Sequence, residues 1–134
     1  MNRTSIEWTD WSANPLVAAY FAVEREGGSD GAIYVCEMKK VADKARDPSE
    51  EEDVARFQPP AITERIVRQA GLFTVHPHPE RDFEPEDAWQ LTIPMAKRRE
   101  MKRELFKLGF SRGALFPGLD GVAADSTWEG SGIY

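Results

Sequence analysis

The stretch that decides the fold is residues 10–23, which read DWSANPLVAAYFAV. Its last eight residues, 16–23, carry no charge, and all of them except the alanines are large. Asn14 stands before Pro15, and a helix commonly starts with such an N-cap residue followed by a proline, whose missing N–H costs nothing there. We therefore predict a helix over residues 15–25. Because the octet is apolar on every side of this helix, we expect the helix to be buried in the middle of the domain.

Size and charge limit what the protein can be. A chain of 134 residues corresponds to one domain, and its net charge of −6 argues against nucleic acid as a main partner, because phosphate contacts need an excess of lysine and arginine. Cys36 is the single cysteine, so no disulfide can form within the chain, which favours a cytoplasmic location. No secretory signal peptide precedes residue 20, and no apolar run reaches the roughly 20 residues that a membrane span needs.

The rest of the chain alternates strands and helices at short, uneven intervals. Alternation, together with β-branched and aromatic residues, predicts strands over residues 31–38, 72–76 and 89–94. Helical spacing predicts a short helix over residues 62–71 and an amphipathic helix over residues 96–108. This mixture predicts an α+β domain, in which a small mixed sheet of three to five strands packs with the buried N-terminal helix and the amphipathic C-terminal helix.

Three details of this prediction bear on the fold. Residues 33–36 are apolar on both faces of their strand, which predicts a central strand. Residues 39–60 contain an acidic, proline-containing run and are predicted to form a surface excursion with a short helical turn near residues 54–57. On the C-terminal helix, Glu100 and Glu104 interleave with the basic residues of segment 97–103. This pattern is more typical of a helix face exposed to solvent than of a binding surface for an anionic partner. The apolar stripe of that helix consists of Met101, Leu105 and Leu108, and Gly109 is predicted to end it.

Three segments in order resemble the FRG domain family. They are DWSxNPLVAAYFA at residues 10–22, RIxxQxGxFT at residues 65–74, and LxxLGF with LFPxLDG at residues 105–121. The resemblance divides the chain into a divergent N-terminal segment, a partial FRG-like domain and a flexible C-terminal tail, at residues 1–9, 10–126 and 127–134. The Phe/Tyr-Arg-Gly motif that names the family is absent, so the chain resembles the C-terminal two-thirds of the domain.

The resemblance implies a module of a bacterial or phage protein whose activity is unknown. Because the family is compared with ADP-ribosyltransferase-like folds, it implies a nucleotide ligand of the NAD or ADP-ribose type, with NAD as the candidate cofactor. The alternative is a non-catalytic protein-interaction or truncated module that oligomerises, or binds a partner chain, through its shortened front. Whether the chain is an enzyme stays open at this point.

Candidate ligand-binding residues fall into two groups, which are Asp10, Trp11 and Ser12 at the helix entrance and Arg65, Gln69 and Phe73 in the second segment. A carboxylate at a helix N-terminus gains from its free N–H groups, and an arginine can hold a phosphate in its planar fork. Trp11 offers a stacking face for the ligand, and Phe73 can stack on a base. Each group alone is better explained by structure, through capping, core packing, an Arg65–Asp10 ion pair or an amide bond from Gln69. If both groups line one pocket, a shared polar site becomes the favoured interpretation.

The remaining reactive residues carry weaker signals. The carboxylates considered for catalysis are Asp10 and Glu64. His76 and His78 alternate, but no third ligand stands at a fixed spacing, so we expect solvated loop histidines and no metal site. Cys36 lies in an apolar strand and is expected to fill space rather than to act as a nucleophile.

Overall fold

The computed structural model describes residues 7–42, 47, 50–58, 63–85 and 87–118. In order along this part of the chain, the elements are β1 (Glu7–Ser12), α1 (Pro15–Val23), β2 (Gly31–Val35), β3 (Ala55–Phe57), α2 (Glu64–Arg68), β4 (Gly71–His76), β5 (Trp89–Ile93), α3 (Met95–Lys107) and α4 (Arg112–Leu115). Helices and small antiparallel sheets together confirm the predicted α+β class. None of the described helices has the length and apolar character needed to cross a lipid bilayer. The tail predicted over residues 127–134 lies outside the described residues.

The described strands form two antiparallel sheets rather than the single mixed sheet that we predicted. One sheet has the order β1-β4-β3, and the other pairs β2 with β5. β2 has one strand partner among the described residues and its Tyr34 is 63% exposed, so the prediction of a central strand is wrong. The apolar run of β2 borders a hollow that residues of both sheets line. A short apolar run cannot by itself distinguish that position from the centre of a sheet.

β4 is the central strand of the three-stranded sheet, and neither of its neighbours was predicted. β1 pairs with β4 over its full length, with Ser12 opposite Gly71. β3 replaces the helical turn expected near residues 54–57, and its Ala55 lies opposite Val75. β1 does not alternate apolar with polar residues, and the Ala-Arg-Phe alternation of β3 is only three residues long, so the pairing with β4 decides their conformation where the local pattern does not.

Helix α1 begins where the sequence predicts. Asn14 Oδ1 accepts the Leu16 N–H at 2.9 Å, and Pro15 lies in the first turn. The expectation that the helix is buried on all sides is wrong, because Leu16 and Phe21 are 40% and 39% exposed. Phe21 borders a cavity described below, so part of the apolar octet faces a hollow rather than the core.

The core of the described residues lies between α1, β5, α3 and α4. Its buried cluster consists of Val17, Tyr20, Val23, Ile93, Leu105 and Leu115. Met101 packs against this cluster, but Leu108 is 65% exposed, so the predicted apolar stripe of α3 is only partly right. Leu108 is already the C-cap of α3, and Gly109 then turns the chain with a φ of 91°, which confirms Gly109 as the residue that ends the helix.

We expected the basic face of α3 to be solvated, but two of its side chains bind carbonyl groups elsewhere in the chain. Arg98 Nη1 donates to the Ser29 carbonyl at 3.0 Å, and Lys102 Nζ donates to the Glu24 carbonyl at 2.9 Å. Because Glu24 is the C-cap of α1, Lys102 lies where the helix dipole concentrates negative charge. Periodicity within α3 cannot reveal this role, because the accepting carbonyls belong to a distant segment.

Helix α2 lies beside the end of β1. Thr63 caps the helix by accepting the Ile66 N–H at 3.3 Å. The N–H of Ala13, just after β1, donates to the carbonyl of Ala70, just after α2, at 2.9 Å. This junction places the second group of predicted site residues next to the first.

Candidate functional site

A cavity of about 510 Å³ lies beside α1, β1, β2 and the end of α2. We call it the charged cavity. Five of the six predicted ligand-binding residues line it, namely Asp10, Trp11, Ser12, Arg65 and Gln69. Its volume falls within the range of roughly 300–1,000 Å³ that small-molecule sites occupy. The two groups that the sequence left separate therefore converge on one cavity, which favours a shared polar site.

Two aromatic residues that line the charged cavity were not predicted, whereas a third, Trp11, belongs to the predicted set. Phe21 and Tyr34 line it, whereas Phe73 does not. Phe73 lies opposite Asp10 of β1 and Phe57 of β3, within the three-stranded sheet. The stacking surface that we had sought in Phe73 is instead offered by two rings from apolar runs. The signal for them is weak, because an apolar run that faces a hollow has the same composition as one that faces the core.

Two of the predicted residues hold the wall of the cavity together. Ser12 Oγ donates to the Gln69 carbonyl at 2.7 Å and accepts the Asn14 N–H at 3.1 Å. The Gln69 side chain donates from Nε2 to the Leu115 carbonyl at 3.0 Å. These bonds support the structural interpretation for Ser12 and Gln69, because each side chain is already engaged with backbone groups.

Trp11 is fixed at the cavity wall by a chain of hydrogen bonds. Its indole Nε1–H donates to Thr74 Oγ1 at 2.8 Å, and Thr74 Oγ1 lies 2.7 Å from His76 Nε2. The Phe83 ring packs edge-on against Trp11 and His76, with centroid distances of 6.3 and 5.1 Å. These contacts leave the indole in one orientation, which suits a wall against which a planar ligand could lie.

The expectation of solvated loop histidines is wrong for His76. His76 is the last residue of β4 and is buried, whereas His78 is half-exposed with Nδ1 3.5 Å from a Glu80 oxygen. The predicted strand ends at the same residue, but no local pattern indicates that Thr74 and Phe83 contact this side chain. Among the described residues, no three His, Cys, Asp or Glu side chains come together as metal ligands.

Asp10 and Arg65 are the charged residues among the described lining residues of the cavity, and no ion pair joins them. The guanidinium carbon of Arg65 lies 5.2 Å from the centroid of the Phe116 ring, a distance typical of a cation–π contact. The ion pair between Arg65 and Asp10 that we considered is therefore not formed. Asp10 is therefore available to a ligand, and Arg65 would exchange its contact with Phe116 for one with the ligand.

The chain was compared with protein families, with curated proteins and with solved structures. No family model, no curated protein and no solved structure matches the chain. The function is therefore inferred from the side chains that line the cavity.

Cys36 lies outside the charged cavity and is half-buried. Burial raises the pKa of the Cys36 thiol above its ordinary value, because desolvation disfavours the thiolate. The thiol is therefore un-ionised at neutral pH, in keeping with a residue that fills space rather than one that attacks a substrate.

This protonation state has a measurable consequence. We expect iodoacetamide to alkylate Cys36 in the folded chain more slowly than in the urea-unfolded chain at the same pH, because less thiolate is present. The rate should continue to rise as the pH passes about 8.5, where an unperturbed cysteine is half ionised. Mass spectrometry of the labelled fraction over time gives both rates. If the alkylation rate of the folded chain stopped rising at a lower pH than that of the unfolded control, the raised pKa of Cys36 would be contradicted.

Proposed function

We propose that this chain is an FRG-like ligand-binding domain whose charged cavity takes a nucleotide of the NAD or ADP-ribose class. The convergence of Asp10 and Arg65 on one cavity, without an ion pair between them, is the observation that carries the proposal. The planar guanidinium of Arg65 suits a phosphate, and the carboxylate of Asp10 can accept hydrogen bonds from ribose hydroxyls. Trp11, Phe21 and Tyr34 offer ring surfaces for a base.

Group transfer from such a nucleotide would need a carboxylate or another base in the cavity. Asp10 is the carboxylate present among the described lining residues, and no described side chain pairs with it. Glu64, the other carboxylate considered, binds Arg68 on its own helix. If the domain is a transferase, Asp10 is therefore the residue we assign to the reacting centre.

A different observation favours the alternative, a non-catalytic module that oligomerises or binds a partner chain. Trp89 and Leu91 lie two residues apart on β5, so they share one face of the two-stranded sheet, and they are 57% and 45% exposed. Neighbouring exposed apolar side chains are typical of protein interfaces. Light scattering distinguishes this alternative, since it requires a stable oligomer whose mass does not depend on added nucleotide.

Binding of NAD and of ADP-ribose tests the nucleotide site. We expect each to raise the melting temperature of the wild-type chain in a concentration-dependent way, because a ligand that binds only the folded state stabilises it. Arg65→Ala should weaken binding by roughly 10- to 100-fold, since a hydrogen bond to a charged group contributes about 1.5–3 kcal/mol. Isothermal titration calorimetry measures the affinities of both chains.

The matched control is Arg81→Ala. Arg81 is an exposed arginine outside the charged cavity, with its Nε 4.0 Å from a Glu80 oxygen, so its removal should leave nucleotide affinity unchanged. Arg65→Lys should recover only part of the affinity, because lysine keeps the charge but not the planar fork. Absence of any thermal shift in the wild-type chain, or equal affinities for wild type and Arg65→Ala, would count against the proposal.

A further inference from the structure

A second hollow, of about 470 Å³, shares Trp11 and Tyr34 with the charged cavity. We call it the aromatic compartment. Four aromatic residues line it, and they come from β1, β2, the loop before β5, and β5 itself. These residues are Trp11, Tyr34, Phe83 and Trp89. Aromatic side chains from four separate parts of the chain thus surround one hollow, although none of the sequence motifs pointed to it.

The aromatic compartment carries negative charge, whereas a phosphate site needs positive charge. Glu84 is the charged residue among its described lining residues, and no described lysine or arginine lines it. The flanking segment 80–87 is strongly acidic in sequence, with Arg81 as its single basic residue. A nucleotide phosphate would be repelled here, whereas a cation would be attracted.

Two of the four aromatic residues that line the hollow, Trp11 and Phe83, pack edge to face against each other. The planes of Trp11 and Phe83 meet at 74°, with 6.3 Å between their centroids. Trp11 is held in place through its bond to Thr74, so this wall does not have to be ordered when a ligand binds. Tyr34 and Trp89 are 63% and 57% exposed, so solvent reaches their rings. A cation that enters the hollow can therefore lie within about 6 Å of an exposed aromatic face.

We propose that the aromatic compartment binds an organic cation of the methylated-ammonium class. The faces of aromatic rings attract such a cation through their quadrupoles, and Glu84 adds a carboxylate. A divalent metal ion fits this hollow poorly, because hard cations need several oxygen ligands and no three candidate ligands come together among the described residues. The aromatic compartment is thus a cation site beside the charged cavity, and it does not depend on nucleotide binding there.

Choline and its neutral isostere 3,3-dimethylbutan-1-ol test the proposal on the full chain without nucleotide. The two probes have the same shape, so a difference in affinity reports the charge rather than apolar contact. We expect choline to bind saturably, with a change in tryptophan fluorescence from the rings at the site. The neutral isostere should bind at least about tenfold more weakly, because it lacks the cation–π attraction. Calorimetry provides the affinities independently of fluorescence.

Two substitutions locate the site. Phe83→Leu keeps an apolar side chain but removes a π face, and it should weaken choline binding by about three- to tenfold. Glu84→Gln keeps the size of the side chain and removes its charge, and it should weaken choline binding by about two- to fivefold at low salt. Glu52→Gln is the matched control, because Glu52 is an exposed glutamate that does not line the compartment. Circular dichroism verifies that each variant is folded.

Each outcome of this experiment decides the proposal. Saturable binding of choline that exceeds that of the neutral isostere, and that falls in both compartment variants but not in Glu52→Gln, would support it. Equal affinities for choline and the isostere would identify a simple apolar patch and overturn it. Absence of choline binding, or unchanged affinity in both Phe83→Leu and Glu84→Gln, would also overturn it.

Discussion

Replacement of Leu105 by alanine should lower the free energy of unfolding by about 2–5 kcal/mol. Leu105 is 3% exposed and belongs to the buried cluster that joins α3 to α1 through Val17 and Tyr20. Truncation removes buried methyl groups and leaves a cavity that the neighbouring side chains only partly fill. Because a domain of this size is stable by about 5–15 kcal/mol, the loss should be visible as a large shift of the urea midpoint.

Leu108→Ala is the matched control for this prediction. Leu108 belongs to the same predicted apolar stripe, but it is the C-cap of α3 and 65% exposed, so its truncation should cost less than about 1 kcal/mol. Urea denaturation followed by circular dichroism measures both variants. Equal losses for Leu105→Ala and Leu108→Ala would mean that both leucines are buried, as the sequence pattern predicts, and would contradict the exposure of Leu108.

This pair of leucines also shows which features of the fold a local sequence pattern can predict. Local signals are sufficient where one residue acts on its neighbours, as when Asn14 and Pro15 start α1 and Gly109 ends α3. They are insufficient where a distant segment decides. β1 and β3 are strands because β4 lies between them, since β1 carries no alternation and that of β3 spans only three residues.

The charged cavity was predictable in part for the same reason. Asp10 and Arg65 were singled out from local chemistry, but their sharing of one cavity depends on the backbone bond between Ala13 and Ala70. The Phe21 and Tyr34 walls could not be predicted, because these two residues belong to apolar runs that would look the same in a core. A sequence thus identifies polar groups that need a partner more readily than the apolar surface that surrounds them.

Thr74→Val is the second substitution for which we expect a large effect. Thr74 is 1% exposed, and its hydroxyl accepts the Trp11 Nε1–H at 2.8 Å and lies 2.7 Å from His76 Nε2. Valine has nearly the same shape, so packing is preserved while the part-buried indole of Trp11 and the buried ring of His76 lose their hydrogen bond. A buried group left unsatisfied costs about 1–3 kcal/mol and the part-buried indole costs less, so the variant should lose about 1–4 kcal/mol of stability.

Two comparisons isolate the hydroxyl as the cause. Thr92→Val, at an exposed position in β5, should change stability by less than about 0.5 kcal/mol. Thr74→Ser keeps the hydroxyl and removes only a methyl group, so it should be clearly more stable than Thr74→Val. Urea denaturation gives the stabilities, and tryptophan emission reports the surroundings of Trp11.

Because Trp11 lines both the charged cavity and the aromatic compartment, Thr74→Val should also weaken binding at each of them. A Thr74→Val chain as stable as Thr92→Val, with unchanged emission, would show that this hydrogen-bond chain does not hold the indole.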